Sequence, residues 1–327
     1  MTADAETIPV IAAVDDDAAD DPAWFTVKDD SLRFIIAGSN KVGGIHLYEI
    51  TGDSREYYNI GKINNIDART VEIYENDSIT ILAGSNRDQN SIVVIAPPVK
   101  TGNQEPVITN ITTTLEEVYG FCLYKSHLTG TLYAFINSKN GQIEQYRLDI
   151  SKDSISGSFV RKLSVESQPE GMVADDRTGA LFVGEEKKGI HIFEAEPEGN
   201  ASSILLKGSD ASNGNICYDI EGLALYRLGQ NEGYLVASSQ GNFSYAVFNL
   251  RTQSYIASFR IEGSDPDSVE ETDGLDIIDR YVSAQYPEGI LIVQDGFNTS
   301  NGNPEAQNFK IIDWRKIRSL LTASSAD

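Results

Sequence analysis

A polar residue, a small residue and an apolar strand recur along this chain at intervals of 51 or 52 residues. The copies are Tyr119-Gly120-Phe121, Glu170-Gly171-Met172, Glu221-Gly222-Leu223 and Asp273-Gly274-Leu275, and one further step back lands on Asp67-Ala68. Periods of this length belong to solenoids and propellers. A second series has six polar corners: Gly38-Ser39-Asn40-Lys41, Gly84-Ser85-Asn86-Arg87, Asn137-Ser138-Lys139-Asn140, Gly184-Glu185-Glu186-Lys187, Ser238-Ser239-Gln240-Gly241 and Val293-Gln294-Asp295-Gly296. A short strand follows each corner, several of them alternating in the half-buried manner, with Gly, Asn, Ser and Asp at their ends. The first series shows five members, its sixth expected to be lost where the ring closes. Blades of this size hold about four strands, and radial repetition leaves no long sheet edge exposed. The expected fold is all-β, a six-bladed β-propeller forming one domain over residues 1–327.

Residues 1–14 are expected to close that ring. Ile8-Pro9-Val10-Ile11-Ala12-Ala13-Val14 reads as a strand pairing with the last blade, with Pro9 near its start, where a missing N–H is tolerated. Residues 315–327 form a short tail, amphipathic from Trp314 to Ala323. No apolar run approaches the roughly 20 residues that span a bilayer. Forty-nine acids against 26 bases leave a net charge of −23, which disfavours nucleic acid and anionic membranes as partners. A solvated acidic surface accounts for that balance; so do hard cations held by carboxylate, amide and backbone oxygens, the ligand set of Ca²⁺. The run Asp15-Asp16-Asp17-Ala18-Ala19-Asp20-Asp21-Pro22 reads equally as an acidic linker or as an ordered cation-binding corner. Cys122 and Cys217 lie in different repeats, each on or beside an expected strand, and read as buried free thiols, with a disulfide between them as the alternative.

Residues in the same phase of every blade share one rim of the disc. Asp67, Tyr119, Glu170, Asp219, Glu221 and Asp273 should therefore converge on one mouth of the central channel. So many carboxylates cannot all stay ionised without compensation: either their pKa values rise or metal ions sit among them. The corners bring Lys41, Arg87 and Lys139 to the same mouth, answered by Glu186, Gln240 and Asp295. One half would be basic and the other acidic, a site for a polyanion gripped by metal ions on one side and Lys/Arg on the other. Nucleophilic chemistry finds little support. Of the three histidines, His46 and His191 occupy strand positions suited to structural roles, His127 is the third, and no pair has zinc-ligand spacing. There is no cysteine-phosphatase loop, no Gly-x-Ser-x-Gly elbow and no Walker loop. Metal-assisted attack by water remains, for which carboxylates and lysines suffice.

A collinear set of motifs from Glu6 to Trp314 resembles the bacterial β-propeller phytases, the alkaline, calcium-dependent group. The set includes Glu6-Thr7, Asp20-Asp21-Pro22-Ala23, Asn64-Asn65-Ile66-Asp67, Glu117-Val118-Tyr119-Gly120-Phe121, Glu170-Gly171-Met172, Asp219-Ile220-Glu221-Gly222-Leu223, Ser238-Ser239-Gln240-Gly241-Asn242, Thr272-Asp273-Gly274-Leu275-Asp276 and Gln307-Asn308-Phe309-Lys310. The resemblance implies a secreted or periplasmic, monomeric phosphoric monoester hydrolase of the 3-phytase type. Its substrate would be myo-inositol hexakisphosphate, taken as a calcium complex and cleaved by a metal-held water. It further implies mouth calcium ligands at Glu6, Asp20, Glu170, Asp219, Glu221, Gln240 and Asp273, with Glu186 nearby. A structural calcium would use Asp21 and carbonyls near Asp67, and a peripheral one Asp267, Asp295 and Asn298. Lys41, Arg87, Tyr119 and Lys139 would hold phosphate, and with Glu186 and Asp273 they form the implied catalytic set. Val42, Asn140 and Phe297 depart from the family pattern; the first two weaken the phosphate cradle and the third puts the peripheral calcium in doubt. A calcium-dependent lactonase or esterase, or a non-catalytic propeller binding inositol phosphates or a protein, are the alternative readings.

Overall fold

The computed structural model describes residues 1–324 apart from 29, 75–76, 97, 100–104 and 152–153; the tail residues 325–327 lie outside the described residues. Six four-stranded antiparallel sheets form a six-bladed β-propeller. Blade 1 runs from its inner strand Ala19–Val27 through Asp30–Asn40 and Gly44–Glu49 to the outer strand Ser54–Tyr58. The inner strands of the next four blades are Ile63–Tyr74, Val118–Lys125, Pro169–Asp175 and Ile220–Leu228. Blade 6 takes three strands from the C-terminal part, Leu275–Ile278, Ile290–Asp295 and Asn308–Asp313, and its outer strand, Ala5–Glu6, from the N-terminus.

Middle strands such as Ser91–Ala96, Leu132–Ser138 and Ile290–Asp295 are buried along their whole length. A blade is covered on both faces by its neighbours, so these strands read as continuous apolar runs rather than the alternation expected from the sequence. Alternation survives in outer strands such as Val107–Thr112, which have one face in water. Buried apolar residues group into six clusters, each joining two neighbouring blades. A fully buried Ile or Val contributes about 2 kcal/mol. Inter-blade packing therefore outweighs any single hydrogen-bonded edge.

The N-terminal segment does pair with the last blade, but three residues earlier than the sequence suggests. Ala5 pairs with Ile311 and Glu6 with Lys310, and the Thr7 N–H donates to the Phe309 carbonyl at 2.8 Å. Beyond Thr7 the pairing is interrupted: Ile8 donates instead to Gly52 and Pro9 has no N–H to give, and Val10 then donates back to the Gln307 carbonyl at 2.9 Å. Val10 is buried, while Ile8, Ile11 and Val14 face solvent. At the other end the helix Trp314–Ser324 packs Trp314 flat on Tyr226, with ring centroids 3.8 Å apart, and buries Ile317 and Leu321. Both cysteines are free, as expected. Cys122 is buried in its strand, whereas Cys217 is exposed on the loop before Ile220.

Candidate active site

Every inner strand in blades 1–5 begins with a β-bulge. The register jumps between Ala19 and Pro22, Ile63 and Ile66, Val118 and Phe121, Pro169 and Met172, and Ile220 and Leu223. A bulge places two residues opposite one and re-aims the first of them. The re-aimed residues are Asp20, Asn64, Tyr119, Glu170 and Glu221, and Asp273 stands at the matching point before Leu275. The second bulge residue faces the next blade. In four blades it is Gly120, Gly171, Gly222 or Gly274, because a Cβ there would run into the neighbouring blade's backbone; at Gly171 it would strike the Glu221 carbonyl oxygen. Asp21 and Asn65 take this place in the first two blades, and Asp21 turns its carboxylate onto the Ile66 N–H at 3.1 Å.

The corners form a second ring beside the first. The N–H groups of Lys41, Arg87, Lys139, Glu186 and Gln240 donate to the carbonyls of Ala18, Lys62, Glu117, Gln168 and Asp219. Each acceptor lies two residues before a bulge residue, so each corner side chain stands next to the bulge residue of its own blade. Lys41 bridges the acids: its Nζ lies 2.6 Å from Asp17, 3.3 Å from Asp20 and 2.7 Å from Asp273. Arg87 and Lys139 have no carboxylate within ion-pair distance among the described residues, and both lie against the Tyr119 ring, at 5.7 and 4.4 Å from its centroid. The mouth is thus asymmetric, with two uncommitted cations facing a cluster of acids.

Carboxylate oxygens of Glu170, Glu186 and Glu221 all lie within 4.8 Å of one another, and all three residues are buried. Gln168 donates to Glu186 at 2.5 Å, and Gln240 donates to Asp273 at 2.7 Å. Burial pushes Asp20 and Glu221 well above the usual carboxylate range; Lys41 opposes this at Asp20, and Glu170 adds to it at both. Burial likewise raises Asp273, against the pull of Lys41, and holds Glu186 up to about 7. Burial would lower the Lys41 ammonium, but Asp20, Asp273 and Asp17 outweigh it and keep the charge in place. Glu221 Oε2 is buried without a hydrogen-bond partner, whereas Asp20 Oδ2 faces the Lys41 ammonium at 3.3 Å. A buried carboxylate cluster with an unpartnered oxygen at Glu221, beside an amide oxygen at Gln240, makes a donor set that fits a hard divalent cation.

Residues 1–326 match the Phytase family. The chain belongs to the phytase family. It is 39% identical over 329 residues to the 3-phytase of Bacillus subtilis (strain 168), covering 98% of this chain and 85% of that one. By structure it is similar to the β-propeller domain of the Myceliophthora thermophila protein Cps50 (Swd1), with a TM-score of 0.52 at 9% identity over 88% of this chain and 81% of that one; this likeness concerns the fold alone.

In this phytase the predicted residues divide among three places. Asp20, Lys41, Arg87, Tyr119, Lys139, Glu170, Glu186, Glu221, Gln240 and Asp273 gather at the mouth, and Asp219 lies beside them, its charge felt by Glu186. Asp67 does not join them. Its carboxylate accepts from Arg69 at 2.5 Å and from the Leu123 N–H at 2.9 Å, and with Asp21 and Asp276 it lines a channel cavity of about 280 Å³. The third place is the rim of blade 6. There Lys310, fully buried, lies 2.5 Å from Asp267, 3.2 Å from Asp295 and 2.8 Å from the Asn298 amide oxygen, and also contacts Glu6. Glu6 therefore faces Lys310 rather than the mouth, and the ammonium takes the position that the resemblance gives to a peripheral calcium. Phe297, where that pattern has an acid, is exposed. The histidines are structural: His46 accepts from Ile11, His127 meets Tyr124, and His191 pairs with Glu185 at 2.8 Å.

Proposed function

We propose that this phytase releases phosphate from myo-inositol hexakisphosphate in a calcium-dependent reaction at the bulge-and-corner mouth. One observation carries the reading: a cluster of buried carboxylates, with Glu221 Oε2 lacking a hydrogen-bond partner, stands beside Arg87 and Lys139, two cations free of carboxylate partners among the described residues. Asp20, Glu170, Glu221, Gln240 and Asp273, with Asp219 and Glu186 beside them, would hold the calcium, which supplies Lewis-acid charge and activates water. Arg87 offers a planar fork to one phosphate and Lys139 a point charge to its neighbour, both braced against Tyr119. Lys41 keeps Asp20 and Asp273 together at the junction of the two halves. Gln168 aims Glu186 inward.

Metal binding must displace protons here. With Glu186 held up to about 7, calcium affinity should rise as pH increases through neutrality. The blade 6 rim is read as closed by Lys310 and carries no calcium in this account, while Asp21 and Asp67 face the channel, where a structural ion remains a separate reading. No described helix is long and apolar enough to cross a membrane, and a secreted or periplasmic monomer fits the reading. The test is phosphate release from calcium phytate with and without excess chelator, in the wild type and in Arg87→Ala. The reading expects loss with chelator and a 10- to 100-fold loss in kcat/KM for the variant, the scale of a charged hydrogen bond. Full activity in excess chelator would sink it.

A further inference from the structure

Asn64 is the one bulge residue at the mouth that is neither ionisable nor assigned any role, and it is fully buried. Its amide stands between the two halves of the site. Oδ1 accepts from Arg87 Nη1 at 3.2 Å. On the other side Nδ2 donates to Glu170 Oε1 at 2.9 Å, to Asn65 Oδ1 at 3.0 Å and, more weakly, to Asp20 Oδ1 at 3.4 Å. A carboxamide has one accepting end and one donating end. Here the accepting end meets the Arg87 guanidinium and the donating end meets carboxylates. The flipped amide would set N–H against guanidinium and oxygen against two acids, so charge alone fixes its orientation.

We propose that Asn64 is a positioning residue for phytate hydrolysis, holding the Arg87 guanidinium and the Glu170 carboxylate in one fixed relation. Three features support this. Arg87 is exposed and lacks a carboxylate partner among the described residues, so Asn64 and the Tyr119 ring are what aim it. Glu170 is buried at the centre of the acid cluster, and a donor to an oxygen of a metal-binding carboxylate orients that ligand. The substrate carries adjacent phosphates, so a site with a cationic arm and a metal arm works only if the distance between the arms is held. An aspartate at position 64 would turn Arg87 into an ion pair and add repulsion against Glu170. A longer amide would not fit a fully buried site. The inference rests on the phytase reading.

The test is steady-state kinetics on phytate, with calcium affinity measured by calorimetry, for Asn64→Leu, Arg87→Ala and the double variant. Asn64→Leu keeps the volume and removes both polar ends. KM should rise roughly tenfold with a smaller change in kcat, since a charged hydrogen-bonding arm is misdirected rather than removed. Calcium affinity at the mouth should fall about tenfold, the scale of losing a partner behind a metal ligand. In the Arg87→Ala background Asn64→Leu should add no further rise in KM, because its effect on substrate passes through Arg87. A residue that merely supports the fold would lower the melting temperature and multiply its effect through both backgrounds. If Asn64→Leu does not fold, Asn64→Ala is read by the same criteria. An unchanged KM, an unchanged calcium affinity, or an effect that multiplies fully onto Arg87→Ala overturns the assignment. Wild-type enzyme is run first in the same assay, and its failure to release phosphate would overturn the phytase reading itself.

Discussion

Lys310→Met keeps the side-chain length and removes the charge, which isolates what the buried ammonium does. Lys310 and Asp295 are both fully buried, whereas Asp267 and Glu6 keep 13% and 34% of their side-chain exposure. Breaking a buried charge pair by removing one partner costs about 3–5 kcal/mol. Two of the three acids can rehydrate, so the lower end, about 3 kcal/mol, is the figure to expect. Unfolding 327 residues carries an entropy of roughly 0.7 kcal/mol/K near 60 °C, so the midpoint should fall by about 4 °C. The pH dependence sharpens the test. Burial holds Asp295 up to about 6, against the pull of Lys310. A carboxyl raised in the folded state favours folding while protonated, and that advantage is lost as pH rises from its unfolded value of about 3.9 through its folded one. Without Lys310 the ionised form is worse still. The deficit should be greatest at pH 7.5 and shrink at pH 5, where Asp295 takes up a proton. Differential scanning calorimetry in chelator at the two pH values measures both effects, and added calcium should restore part of the loss by entering the vacated oxygens. A midpoint within 1 °C of wild type, or a deficit no smaller at pH 5, would refute the view that Lys310 is the cation of this cluster.

Gly171→Ala should destabilise by about 1–3 kcal/mol, because its Cβ meets the Glu221 carbonyl and forces two inner strands apart; thermal unfolding at wild-type temperature would contradict the bulge argument. His46 is buried as a neutral acceptor for Ile11, and burial lowers it to about 4. A base lowered on folding contributes stability above its unfolded value of about 6.5 that disappears as pH falls towards 4, at most about 3 kcal/mol here. His46→Gln should therefore lose less stability than wild type between pH 7 and 4 in urea titrations; parallel losses would count against it.

The fold was legible because the repeat is nearly regular where it matters. Glycines after Tyr119, Glu170, Glu221 and Asp273 mark points where neighbouring backbones touch, and only that residue fits there. The ruler failed in the first two blades, where the bulge residues are Asp20 and Asn64. Neither is followed by glycine, and the connections around blade 2 are of unequal length, so a step of 52 residues back from Tyr119 fell short of Asn64 and landed on Asp67. The cationic corners needed no ruler, since each directly follows a strand end. Asn64 stayed hidden within the Asn64-Asn65-Ile66-Asp67 motif because an amide beside an aspartate draws less notice than the acid. Lys310 lay among Phe309, Ile311 and Ile312 in a short strand, and nothing in its neighbours announced that the N-terminal Glu6 would pair across from it. Ring closure itself was legible in the apolar stretch near the N-terminus, but its register, a contact between the two ends of the chain, is not set by local pattern.

The central claim is that the acids of successive blades share calcium next to Arg87 and Lys139. Crystals soaked with calcium and a non-hydrolysable sulfated inositol test it most directly, through the anomalous signal at the mouth. The account predicts ions about 2.3–2.6 Å from oxygens of Glu170 and Glu221, with sulfate groups reaching both those ions and the Arg87 guanidinium. A mouth that holds the inositol without any ion among Asp20, Glu170, Glu221 and Asp273 would contradict it.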